Sequence, residues 1–259
     1  MLRFHVVGHF LPEHVHAVWV ESARQIVPEI EAKIDRAWRI ALARPGVKLF
    51  DGPMCRLEFW QIDGATLNLR FSPTTYRAFL GTNLSHPELA DEYGREVLAN
   101  PVGVSPALLT ADGWVMLGQR NASVAYHPNR VHPFAGALEP RDALDVFSAV
   151  RRELAEELSF TSDDITEVVC TGIAEDIALR QPELIFYARS TRTRAQIESR
   201  VDQAEHHGSW HCPATREGIE QAIRDPILTP VAVAGLLLWG RGAFGEAWFD
   251  EHGCPAKVE

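Results

Sequence analysis

The stretch "AVRRELAEELSF", residues 149–160, decides how this chain is read. At the helical period Phe147, Val150, Leu154 and Leu158 fall on one apolar face, and Glu153, Glu156 and Glu157 crowd its flank. An isolated cluster of that kind repels itself and weakens the helix. Beside a buried face, the same carboxylates suit a hard cation such as Mg²⁺, which takes oxygen ligands and keeps part of its water shell. The competing reading is a solvated acidic face with Arg151 and Arg152 as local partners. The triplet alone favours that second reading, because charged helix faces are common. The surrounding sequence has to separate the two.

A chain of 259 residues, 46% of them hydrophobic, is long enough to bury an ordinary core as one large domain or two modest ones. Its net charge is −10 and no lysine or arginine run stands out, which argues against general affinity for nucleic acid or anionic membranes. The apolar run "VAVAGLLLWG" at 231–240 is too short to span a bilayer. The N-terminus has neither the long apolar region nor the cleavage site of a secretory signal. Cys55, Cys170, Cys212 and Cys254 are scattered without C-x-x-C spacing. No disulfide framework is expected, and a reducing cytoplasm is the expected location.

Along the chain, "LRFHVVG" reads as a strand broken off by Pro12. A helix begins at Pro28, with Ile30, Ile34, Trp38 and Ala41 on one face, and stops before "RPG" at 44–46. "CRLEFWQI" and "TLNLRFS" form a hairpin through "DGA". In "TTYRAFLGTN", Thr74 or Thr75 caps a helix that Gly81 ends. The Pro/Gly pair of "NPVGV" at 100–104 marks a boundary between an N-terminal α+β region, 1–99, and a second domain, 100–259. That domain opens with a hairpin through "ADG", followed by the loop "RVHPFAGALEP". The helix of the opening stretch then runs from Asp142, a cap, to Leu158. Two strands follow, "DITEVVCTGIAE" and "PELIFYARS", then the helix "RTRAQIESRV", the short strand "GSWHC", the helix "TREGIEQAIRD" and a buried apolar helix from "TPVAVAG". Strands and helices alternate without strict βαβ order, so a mixed sheet flanked by helices is expected.

The segment Gly136–Phe160 resembles the Nudix box: glycine, five residues, Glu, seven residues, then Arg-Glu-U-x-Glu-Glu-x-Gly-U, where U is a large apolar residue. Arg152, Glu153, Leu154, Glu156, Glu157 and Phe160 occupy its specified positions. Ser159 stands where the box has glycine, and Gly136 lies two residues too far upstream. The upstream acid is displaced as well, with Asp142 and Asp145 as candidates. The resemblance implies an α/β/α sandwich with a mixed sheet, preceded by the smaller α+β extension. It also implies a hydrolase of nucleoside diphosphates linked to another moiety. Carried over by position, Glu153 and Glu157 are the Mg²⁺ ligands, with Glu156 a third ligand or an orienting neighbour and Mn²⁺ as a substitute ion, and Arg152 holds the carboxylates in register. The general base comes from outside the box, with Glu175 and Glu205 as candidates.

"KLFDGP", "TTYRAFLGTN", "NPVGV" and "GALEP", in that order, are similar to the Nudix-type UDP-sugar pyrophosphatases of animals. The resemblance implies a small-molecule partner, UDP-glucose or UDP-galactose, cleaved to UMP and the sugar 1-phosphate. In this reading Tyr76 offers a ring for stacking, Arg77 a fork for phosphate or uracil oxygens, Thr82 and Asn83 hydrogen-bonding groups, and Gly136 a loop position at the substrate. The rivals are ADP-ribose or a dinucleotide as substrate, and a Nudix-like domain that only senses a nucleotide sugar. RNA decapping is disfavoured by the acidic charge. "EHHGSWHC" at 205–212 fits no zinc spacing, since adjacent histidines on a strand point to opposite faces.

Overall fold

The computed structural model describes residues 1–44, 49–122, 124, 126–202 and 206–253. In chain order, β1 (Leu2–Phe10) and β2 (Val15–Trp19) precede α1 (Pro28–Leu42), and the hairpin β3 (Pro53–Asp63) and β4 (Thr66–Thr75) leads into α2 (Tyr76–Phe79). A π-turn at Leu80–Leu84 and a short α3 (Leu89–Tyr93) complete the N-terminal part. Next come β5 (Gly103–Leu109), β6 (Trp114–Arg120), the two-residue strands β7 (Val131–His132) and β8 (Gly136–Ala137), and α4 (Val146–Leu158). The hairpin β9 (Ile165–Asp176) and β10 (Gln181–Ser190) is followed by α5 (Arg194–Glu198) and β11 (His206–Pro213). Three helices, α6 (Arg216–Ala222), α7 (Pro230–Phe244) and α8 (Glu246–His252), end the described chain.

Two sheets form. The larger has the order β1-β9-β10-β5-β6-β11, with β7 on β6 and β8 on β5; β10 and β5 run parallel and its other pairs are antiparallel. The smaller has the order β2-β4-β3, with β2 and β4 parallel. Strand β1 therefore belongs to the larger sheet, paired with β9 some 170 residues later in the chain (Leu2 opposite Asp176, Phe10 opposite Cys170). Alternating residues along each strand point to opposite faces. On β5, Val104 and Leu108 join the core around α4, whereas Ala107 and Leu109 join the core around α7. The larger sheet is thus the middle layer of an α/β/α sandwich.

One contiguous core joins the small sheet, α4 and a face of the larger sheet. It contains Leu57, Leu67, Leu69 and Phe71 from β3 and β4, and Val150, Leu154 and Leu158 from α4. Leu154 and Leu158 are completely buried, and each such side chain contributes about 1.5–3 kcal/mol of hydrophobic stabilisation. Backbone bonds stitch the same region: Cys55 N–H donates to Leu138 O, and Val102 N–H to Cys55 O, each within 2.9 Å.

Four sequence expectations are corrected in detail. Gly81 does not end the helix after Thr75; the chain continues as a π-turn, and a Cβ on Gly81 would strike the Ile34 backbone of α1. Asp142 is not the cap of α4. Asp145 is, accepting from the Phe147 and Ser148 amides at 3.2 and 3.0 Å. Helix α5 is a single turn, because the chain turns away after Glu198. Strand β11 begins at His206, earlier than "GSWHC" suggested. Cys55, Cys170 and Cys212 are buried free thiols that burial pushes up to about 12, and Cys254 lies outside the described residues. No helix among the described residues is long and apolar enough to cross a membrane.

Candidate active site

Helix α4 is fixed at both ends by its own sequence. Asp145 caps the N-terminus, and its second carboxylate oxygen takes the Ser148 hydroxyl at 2.6 Å. At the C-terminus Ser159 adopts the left-handed conformation (φ 53°, ψ 39°), and this is the position at which the Nudix box has glycine. The chain can thus leave the helix in the usual way without glycine, at a modest backbone cost.

The apolar seam of α4 determines what happens to the three glutamates. Glu153 and Glu157, one turn apart, lean toward the core and are only 7% and 6% exposed. Glu156 points outward with its side chain 56% exposed. Arg152 gathers this edge: its Nε donates to Asp142 Oδ2 at 3.0 Å, and its Nη1 lies 2.8 Å from Glu153 Oε1 and 3.2 Å from Glu156 Oε2. Of the two acids upstream of the helix, Asp142 grips Arg152, while Asp145 serves as the cap. Burial pushes the Glu153 carboxyl up to about 7; Arg152 opposes the rise, and Glu157 and Glu156 add to it.

Gly136, on β8 opposite Val104, lies against Glu153: a Cβ there would run into the Glu153 carboxylate. It makes room for that side chain. Glu157 is held from the other side by His206 of β11, whose Nε2 is 2.9 Å from Glu157 Oε2 in a fully buried contact. His206 in turn sits over Gly118 of β6, where a Cβ would collide with the imidazole. Two residues of the "EHHGSWHC" tract thus diverge, His206 inward and His207 outward, while His211 pairs with Arg194 at 2.9 Å and Glu205 lies outside the described residues.

Among the described residues, no three His, Cys, Asp or Glu side chains are gathered as a metal-holding group. What α4 offers is a pair, Glu153 and Glu157. Two hard oxygen donors crowded in a buried place, one with its proton affinity raised, fit Mg²⁺, which fills its remaining positions with water and phosphate oxygens. Glu175 is committed elsewhere, to His5 at 2.6 Å and Arg95 at 2.7 Å; burial alone would raise its carboxyl, but these two partners hold it below the usual range.

The N-terminal site residues do not gather on α4. Tyr76 lies between the rings of Trp38 and Phe79 and lines a separate cavity. Arg77 is at the surface, its guanidinium on Asp35 and its amide donating to Asp51 Oδ1 at 2.8 Å. Thr82 and Asn83 are completely buried. The Thr82 hydroxyl donates to Ala78 O at 2.7 Å and accepts from the Ala99 amide at 3.0 Å. The Asn83 amide donates to Leu179 O and Arg180 O, both at 3.1 Å. Both side chains bolt the π-turn to the linker and to the tip of the β9–β10 hairpin. Two buried groups escaped the sequence reading. His206 carried no local signal linking it to Glu157. Glu183, hidden in the apolar run of β10, accepts from Ser105 at 3.0 Å and is pushed up to about 8 by burial.

The chain is 29% identical over 206 residues to the uridine diphosphate glucose pyrophosphatase NUDT22 of Homo sapiens, covering 67% of each chain. To the Bos taurus protein of the same name it is 27% identical over 256 residues, covering 84% of this chain and 88% of that one. The chain thus resembles the Nudix hydrolases that bear this name. No family model matches it. Among solved structures, the MutT protein of Methanosarcina mazei Go1 superposes with a TM-score of 0.38 at 15% identity, over 55% of this chain and 94% of that one.

Proposed function

We propose that this Nudix hydrolase cleaves the pyrophosphate bond of a nucleotide sugar, UDP-glucose or UDP-galactose, to UMP and the sugar 1-phosphate, in a reaction dependent on Mg²⁺ and supported by Mn²⁺. The observation that carries the reading is the buried pair Glu153 and Glu157: Gly136 makes room for Glu153, Arg152 of the same helix pairs with it, and His206 braces Glu157 from outside the helix. The curated relatives that bear the name UDP-glucose pyrophosphatase supply the choice of substrate. Glu153 and Glu157 would hold the divalent ion, with Glu156 at the solvent edge of the same helix. An ion bound there offsets the charge of the diphosphate and polarises its phosphoryl oxygens. Arg152 orients Glu153 and opposes the rise in its proton affinity. Residues 1–99 form the recognition region, in which Thr82 and Asn83 hold the wall that carries Tyr76, and Arg77 supports that wall from the surface through Asp35 and Asp51.

The test is a panel of UDP-glucose, UDP-galactose, ADP-ribose and a diadenosine polyphosphate with Mg²⁺, followed by ³¹P NMR. A UDP-sugar should be consumed fastest, with UMP appearing. Glu157→Gln should fold normally and lose about 100-fold or more in kcat, as expected on removal of a metal ligand. Faster turnover of ADP-ribose would overturn the choice of substrate, and near-normal turnover by Glu157→Gln would overturn the site. UDP-glucose binding without release of UMP would make the chain a sensor.

A further inference from the structure

Helix α1 carries Lys33, Arg36 and Ile40 along one side, at helical spacing, and Arg44 follows just beyond its end. With Tyr76, Leu80 and Val124 they enclose a cavity of about 740 Å³, within the size range of small-ligand sites. Among the described residues no carboxylate lines it. Among the described residues, Lys33, Arg36 and Arg44 form no ion pair, although the chain carries a net charge of −10. Three cations sharing one opening repel each other, and an anion entering between them removes that repulsion while meeting donors suited to phosphate. The walls below are apolar: Leu80 is buried, and the Tyr76 ring is half-buried against them.

This combination selects among ligand parts. A sugar carries hydroxyls around its whole perimeter, and among the described residues the lining offers it only Ser85 and His86 as neutral polar side chains beside Tyr76. A nucleobase presents a flat apolar face, and its attached phosphate presents charge, so the two match the floor and the rim. One apolar cluster links the cavity to the box: Tyr76 shares it with Phe79, Tyr126 and Ala137, and Ala137 directly follows Gly136, which touches Glu153. Within that cluster Tyr126 lies on the Arg120 guanidinium at 4.9 Å and against Phe79 at 6.1 Å.

We propose that this cavity receives the nucleoside monophosphate end of a nucleoside diphosphate substrate, with the base against Tyr76 and Leu80 and the phosphate among Lys33, Arg36 and Arg44. The inference rests on the hydrolase reading above, and its test separates the two. The full chain and the double variant Lys33→Ser/Arg36→Ser are compared in two experiments. In UDP-glucose hydrolysis with Mg²⁺, the variant should raise KM by about tenfold or more while kcat stays within about twofold. In calorimetric titration with UMP and with inorganic phosphate, metal removed by chelation, the wild type should bind UMP and the variant about tenfold more weakly. Binding of phosphate as tight as that of UMP would overturn the nucleoside site, as would unchanged KM and unchanged UMP affinity in the variant. If the wild type binds UMP through these cations yet turns over no nucleotide sugar, the cavity assignment stands and the hydrolase reading falls.

Discussion

Replacement of Glu183 by glutamine should change the pH dependence of stability by an amount that follows from its surroundings. Glu183 lies on β10 beside Gly103, where a Cβ would strike its carboxylate, and it accepts from Ser105 at 3.0 Å. Burial pushes its carboxyl up to about 8 from 4.5, with the Ser105 bond opposing the rise and Asp176 reinforcing it. The unfolded chain loses this proton near 4.5 and the folded chain holds it until about 8. Between those values the folded state binds more protons, so stability falls as pH rises through the window. Below pH 4.5 the group is neutral in both states and contributes no pH dependence. At about 1.36 kcal/mol per tenfold change in proton affinity, the full loss is about 5 kcal/mol above pH 8, and about 3 kcal/mol of it has accrued by pH 7. Glutamine keeps an acceptor for Ser105 and does not ionise. Its extra N–H adds an offset of about 1 kcal/mol that does not vary with pH. Urea unfolding at pH 5, 7 and 9 should therefore show Glu183→Gln near the wild type at pH 5 and more stable than it by several kcal/mol at pH 9. A difference that stays constant across the three pH values would refute the reasoning.

Gly136→Ala should displace the Glu153 carboxylate, since a Cβ would occupy its place. Turnover should drop by about 100-fold and Mg²⁺ half-saturation should rise, with the circular dichroism spectrum unchanged; an alanine variant with ordinary Mg²⁺ response would show that Glu153 does not depend on this glycine. His206→Ala removes a positioning residue from Glu157, and Mn²⁺ binding followed by electron paramagnetic resonance should weaken by about 10- to 100-fold, with partial recovery in His206→Gln. Equal affinities in all three proteins would reduce His206 to a packing role. Ser159→Gly relieves a left-handed non-glycine residue and should stabilise the chain by about 0.5–1 kcal/mol, read as a rise in thermal midpoint of about 1–4 °C.

Local patterns account for the elements that local physics builds. The spacing of Ile30, Ile34 and Ala41 marks the buried side of α1, and "DGA" and "ADG" make hairpins because Gly64 and Gly113 accept positive φ (59° and 81°). The flank position of Glu153 and Glu157 on α4 could likewise be read from the apolar residues beside them. What sequence could not show depends on pairing across long separations. Gly81 reads as a helix terminator, yet its missing side chain serves contact with Ile34 of another helix. Thr82 and Asn83 read as ligand groups because short polar residues after a turn usually face water; here they meet backbone groups about 17 and 97 residues away. His206 acquires meaning only once β11 lies beside β6 and its imidazole reaches Glu157.

The shared core of the small sheet and α4 has a consequence for how such a chain can diversify. Phe71 and Leu69 of the small sheet are packed in the same apolar mass as Leu154 and Leu158, which lie on the helix of the glutamates. The N-terminal part is therefore not an exchangeable cassette. Grafting residues 50–75 from a relative would repack the support of the box helix as well. New specificities can be introduced most freely at positions that leave this mass alone, such as the solvent side of α1 and the exposed tip of the β3–β4 hairpin around Gly64.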